Sequence, residues 1–127
     1  DMVRSLNSRV DLTIDATSYF GLASYGKVMI GNTAFEFYND RNVSDYIQIP
    51  WDEVDYIAAS VMIGGKWISR FSIFTKSNGN FSFSTKDNKK TLRAVNQYIP
   101  SEKLCKSLTF LQVIKRGFFS LFKKKDS

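Results

Sequence analysis

Between Arg9 and Lys86 apolar and polar residues alternate in short runs, and turn-forming residues stand between the runs. Such a period of two predicts half-buried β-strands joined by tight connections. Val10, Leu12 and Ile14 alternate with Asp11, Thr13 and Asp15, and Val28 with Ile30 repeats the pattern. Gly31-Asn32 reads as a turn before Phe35 and Phe37, and Gly21 and Gly26 are read as turn glycines in the same way. The stretch Asn39-Asp40-Arg41-Asn42 marks a loop. Tyr46, Ile47 and Ile49 then lead to Pro50, which has no backbone donor and so belongs at a strand end or bulge. The run Val54 to Ile63 is followed by Gly64-Gly65, suited to a hairpin, and by a returning strand from Trp67 to Thr75. Ser77-Asn78-Gly79-Asn80 holds the strongest hairpin signal and joins that strand to Phe81, Phe83 and Thr85.

After Lys86 the period changes to about 3.6, with Leu92, Val95 and Ile99 on one face of a helix expected over about 87–99. Asp87 is the expected N-cap, and Pro100 closes the segment. The expected fold is mainly β: seven or eight short strands in a small antiparallel barrel or sandwich, capped by this helix. That order resembles a pleckstrin-homology-like (PH or GRAM) domain. Residues 1–100 are read as the β domain with its capping helix and 101–127 as an amphipathic basic helical tail.

Charge separates the two parts. Residues 1–100 carry eleven Lys and Arg against ten Asp and Glu, whereas 101–127 carry seven against two, so the net +6 divides as +1 and +5. Placed on a helix, Phe110, Leu111, Ile114, Phe118, Leu121 and Phe122 share an arc of about 120°, with Gln112, Arg116, Ser120, Lys123 and Lys124 outside it. Three uses fit the pattern: packing on the body or on a second copy, an interfacial helix on anionic lipid, or a helix docked in a groove of another protein. Gly117 weakens a continuous helix by about 1 kcal/mol relative to Ala, which marks Phe118 to Lys125 as a separable anchor. The candidate membrane or partner contacts are Phe110, Leu111, Ile114, Lys115, Arg116, Phe118, Phe119, Leu121, Phe122, Lys123, Lys124 and Lys125.

Several chemistries find no support. The chain has no histidine, the usual neutral-pH base and the commonest metal ligand. Asp52, Glu53 and Asp55 are read as solvated charges and not as a cation site, and the glycines do not form a phosphate-cradling loop. The lone Cys105 cannot form an internal disulfide and is read as a small packing residue in a reducing compartment. No apolar run approaches the roughly twenty residues that span a bilayer. The expectation is a protein without catalytic, metal or cofactor-binding residues, cytoplasmic or peripheral at the inner membrane face. Nucleic acid is the alternative partner suggested by the basic pI, against which the body is neutral and the tail is lysine-rich.

Thr17-Ser18-Tyr19-Phe20-Gly21-Leu22, Tyr25-Gly26-Lys27, Phe35-Glu36-Phe37-Tyr38-Asn39-Asp40-Arg41, Ile49-Pro50-Trp51-Asp52-Glu53-Val54-Asp55 and Val113-Ile114-Lys115-Arg116-Gly117 carry a resemblance. The chain resembles, from Met2 onward, a small bacterial family encoded with mannose-class phosphotransferase permeases, sometimes called ManO-like. The resemblance implies an accessory or regulatory protein of a mannose-type uptake system, with permease subunits as partners, and supplies no catalytic residues. Without histidine the chain is not a histidine phosphocarrier, so binding is the expected means of action. A transcriptional regulator of the sugar operon is the alternative. A homo-oligomer through a sheet edge or the tail's apolar arc is left open.

Overall fold

The computed structural model describes residues 4–62 and 67–108. Seven strands come first: β1 (Val10–Ser18), β2 (Ser24–Gly31), β3 (Ala34–Asn39), β4 (Tyr46–Pro50), β5 (Val54–Val61), β6 (Ile68–Thr75) and β7 (Asn80–Thr85). A helix α1 (Asn88–Asn96) follows, then an eighth strand β8 (Leu104–Leu108). All form one sheet in the order β4-β3-β2-β1-β7-β6-β5-β8, antiparallel except for the parallel β5–β8 pair. The sheet folds over itself, because Phe35 of β3 meets Phe83 of β7 at 4.9 Å and Phe71 of β6 at 6.0 Å between ring centroids. These rings, with Val28, Ile30, Phe37, Ile57 and Ile73, fill the space between the two halves.

The alternation predicted for the body is observed as a mainly β architecture with one helix. Asp87 caps α1 by accepting from the Lys90 N–H at 3.1 Å, and Val95 and Ile99 are buried while Leu92 is half-buried against the same core. Pro50 ends β4, and Gly79 makes the β6–β7 turn at φ +78°, a conformation that costs glycine nothing. Gly64 and Gly65 lie outside the described residues.

Three expectations change. Gly26 and Gly31 lie inside β2 and not in turns. A Cβ on Gly26 would run into the Tyr38 carbonyl of β3, and one on Gly31 into the Arg9 carbonyl and the Asn7 side chain, so both positions serve close backbone approach. The helix expected from residue 101 is not found at its start: Ser101–Lys103 is a single 3-10 turn and Leu104–Leu108 is a strand beside β5. Pairing with β5, from Ile57 opposite Leu104 to Val61 opposite Leu108, outweighs the helical reading there. Cys105 within it is exposed, not packed. The rest of the tail, 109–127, lies outside the described residues.

Candidate functional site

The contacts proposed from sequence, Phe110, Leu111, Ile114, Lys115, Arg116, Phe118, Phe119, Leu121, Phe122, Lys123, Lys124 and Lys125, all fall outside the described residues. The body presents three features of its own.

The first is a groove along β4. Strand β4 is an outer strand of the sheet, and the ladder fixes which of its backbone groups turn outward. The Asn39 N–H donates to the Asp45 carbonyl at 3.2 Å and the Trp51 N–H to the Thr33 carbonyl at 3.1 Å, so odd-numbered residues exchange bonds with β3. The N–H and C=O groups of Tyr46 and Gln48 therefore point away from β3, and no strand of the described residues lies beyond them. This edge lines a groove of about 300 Å³ whose apolar walls are Phe20, Ile47, Ile49 and Phe81 and whose acidic rim is Asp45 and Glu53; neither Lys nor Arg lines it. Phe20 is held over Phe81 at 5.2 Å between centroids. The other outer strand is β8, which occupies the edge of β5, so β5 offers no free side to a partner.

The second is an apolar end. The β1–β2 and β3–β4 connections leave the sheet on the same side and are tied by the Asp40 N–H, which donates to the Tyr25 carbonyl at 3.0 Å. Leu22 is 90% exposed, Tyr25 70%, Phe20 64% and Val43 58%, and Tyr46 is also exposed. The chain thus sets large apolar side chains in water at one end, an arrangement that marks an interaction surface.

The third is an open depression of about 460 Å³ bordered by Asp15, Thr17, Tyr25, Lys27, Asp40 and Lys86. Lys27 there is committed, with Nζ 2.6 Å from Asp15 and 3.9 Å from Asp40. The hydrogen bond to Asp15 holds the Lys27 ammonium above its ordinary range, and the same bond holds Asp15 below the usual carboxylate range. A cation so paired offers little to a phosphate. Among the described residues no three His, Cys, Asp or Glu side chains come together as a metal site.

One charged residue escaped the reading of the sequence. Glu36 alternates with Phe35 and Phe37 in β3 and so faces away from the core, yet it is 0% exposed because residues 5–7 cross over it. Its Oε1 accepts from Ser5 Oγ at 2.6 Å and Asn7 Nδ2 at 2.9 Å, and its Oε2 from the Leu6 N–H at 2.7 Å and Gln48 Nε2 at 3.1 Å. Asn7 also accepts from the Thr33 and Ala34 N–H groups, both at 2.8 Å, which fastens the crossing segment to β3. Burial holds the neighbouring Tyr38 hydroxyl above its ordinary range. The signal in the sequence was a lone carboxylate inside Phe-Glu-Phe-Tyr.

A similar fold occurs in solved structures. The C-terminal domain of an unknown protein from Leishmania infantum superposes with a TM-score of 0.61 at 13% identity, over 70% of this chain and 82% of that one. The Vps36 N-terminal PH domain superposes with a TM-score of 0.55 at 11% identity, over 77% of this chain and 89% of that one. At these identities the likeness is one of fold. No curated protein matches the chain in sequence. Residues 2–118 match the family model described as a domain of unknown function (DUF956), and the chain belongs to that family.

Proposed function

We propose that this protein is a non-enzymatic accessory or regulatory module of a mannose-type phosphotransferase uptake system, acting by binding at the inner face of the cell membrane. The observation that carries the binding part is the apolar end. Leu22 and Val43 stand in water on two adjoining connections and Tyr25 at the start of β2, while Lys27 is paired with Asp15 and Asp40. A surface of this kind gains free energy by losing contact with water, at about 25 cal/mol per Å² of apolar area. The permease link draws its support from the motifs quoted above, notably Tyr25-Gly26-Lys27 and Ile49-Pro50-Trp51-Asp52-Glu53, and from the concentration of +5 in residues 101–127. Basic residues near an anionic leaflet contribute about 1 kcal/mol each. The tail's Phe118, Phe119, Leu121 and Phe122 are the matching apolar residues.

The test is cosedimentation of the full chain with phosphatidylcholine vesicles containing graded phosphatidylserine. Binding should rise with the anionic fraction and should fall at least about tenfold in the Leu22→Ser, Val43→Ser double variant, since burying each side chain contributes about 1.5–3 kcal/mol. No binding by the full chain, or binding unchanged in that variant, would overturn the membrane reading.

A further inference from the structure

The groove along β4 has walls, an edge and a charge, and each constrains what fits. Its volume of about 300 Å³ is at the lower limit of small-molecule sites, enough for a few side chains. The outward N–H and C=O groups of Tyr46 and Gln48 ask for an extended backbone beside them, whereas Pro50 has no N–H to give, so pairing is confined to a short segment. The walls Phe20, Ile47, Ile49 and Phe81 ask for apolar side chains, and Asp45 with Glu53 at the rim asks for adjacent positive charge.

We propose that this groove seats residues 118–125 of the same chain. Phe118-Phe119-Ser120-Leu121-Phe122 is a five-residue run with four large apolar side chains, as long as β4 itself, and Lys123-Lys124-Lys125 follows it directly. In an extended run Phe119 and Leu121 share one side, as Ile47 and Ile49 do in β4. The reach is sufficient. Strand β8 ends at Leu108, opposite Val61, and the groove lies by Glu53, next to the start of β5 at Val54. The seven steps of β5 between them amount to about 23 Å, and the nine residues 109–117 span up to about 30 Å. Charge separates this occupant from others: the neutral body carries the acidic rim, and the strongly basic segment is the chain's own terminus. This seat is independent of any membrane or permease. Where both exist they compete for the same residues, so the groove would hold Phe119 and Leu121 out of water until a membrane or partner takes them.

Disulfide trapping in the full chain, without lipid, tests the seat. In a Cys105→Ser background, Asn78→Cys on the groove rim is paired with Ser120→Cys, and Lys90→Cys on the exposed side of α1 paired with Ser120→Cys serves as the control. Under a mild oxidant the Asn78 pair should close within one chain at least about tenfold faster than the control, independently of protein concentration. Closure should slow towards the control rate in 0.5 M salt and in the Asp45→Lys, Glu53→Lys variant, salt being the measurement that needs no further substitution. Equal rates for the two pairs, or cross-links formed only between chains, would overturn the proposal.

Discussion

Replacing Glu36 by Gln exchanges one carboxylate oxygen for an NH₂ group in a site closed to water, and the structure says what must break. The carboxylate accepts four hydrogen bonds, two on each oxygen, from Ser5, Leu6, Asn7 and Gln48. Gln keeps one acceptor and turns the other into an NH₂ group aimed at two donors. If the amide nitrogen takes the place of Oε2, it confronts the Leu6 N–H, which cannot turn, and Gln48 Nε2. Gln48 could present its oxygen instead, but its Nε2 also donates to the Arg4 carbonyl at 2.8 Å and lies 3.0 Å from the Tyr38 hydroxyl oxygen. If the nitrogen takes the place of Oε1, it confronts Asn7 Nδ2, whose oxygen is already held by Thr33 and Ala34. Either way at least one buried donor is left unmet. An unmet buried donor costs about 1–3 kcal/mol, and losing the charge from the remaining bonds adds to this, for a total of about 3 kcal/mol. Urea unfolding followed by far-UV circular dichroism should show the midpoint falling with the slope unchanged. Hydrogen exchange at Leu6 and Asn7 should rise more than in β6 or β7, because residues 5–7 are fastened through this carboxylate. A loss below about 1 kcal/mol, or uniform acceleration of exchange throughout the body, would refute the reasoning.

Other outcomes follow from single contacts. Gly26→Ala places a methyl group against the Tyr38 carbonyl and must part β2 from β3, at about 2–3 kcal/mol by chemical unfolding; a change under about 0.5 kcal/mol would contradict the close approach. Trp51→Phe keeps a ring to stack on Tyr98, now 5.3 Å away and nearly parallel, but removes the indole N–H that donates to the Gly31 carbonyl at 2.9 Å. The expected loss is about 1 kcal/mol in the same assay, and no loss would mean that this bond contributes nothing net. Asp11 is held below the ordinary carboxylate range, first by the Tyr98 hydroxyl and then by Arg9. Its folded pKa lies below its unfolded one, near about 3.9, so its contribution is present above that value and lost as pH falls through the folded one. The stability gap between the parent and Asp11→Asn should therefore narrow as pH drops below about 4, in urea titrations from pH 6 to pH 3; a gap that widens would contradict the assignment.

The strand pattern was legible because the core is one-sided: Val28 with Ile30, Phe35 with Phe37, and Phe71 with Ile73 all point inward at a period of two. Asp87 set the start of the helix for an equally local reason, a side-chain cap, whereas the helix ends at Asn96, before the Pro100 expected to close it. What local pattern could not carry was anything decided by a distant neighbour. Gly26 and Gly31 look like turn residues until β3 and the crossing segment are laid beside them. Leu104–Leu108 has no strand period of its own and is recruited by the edge of β5, almost fifty residues earlier in the chain. Glu36 is buried only because Ser5, Leu6 and Asn7 return over β3. The β4 groove combines Phe20, Ile47 and Phe81 from three separate strands or turns, so no sequence window contains it.

The measurement closest to the central claim is copurification of the tagged full chain, at native expression level, from gently solubilised membranes of cells that hold a mannose-type permease. The account predicts that permease subunits are retained at moderate salt with the parent chain and lost with Leu22→Ser, Val43→Ser, while the variant's thermal unfolding is unchanged. Recovery without any permease subunit, or equal recovery from parent and variant, would contradict it.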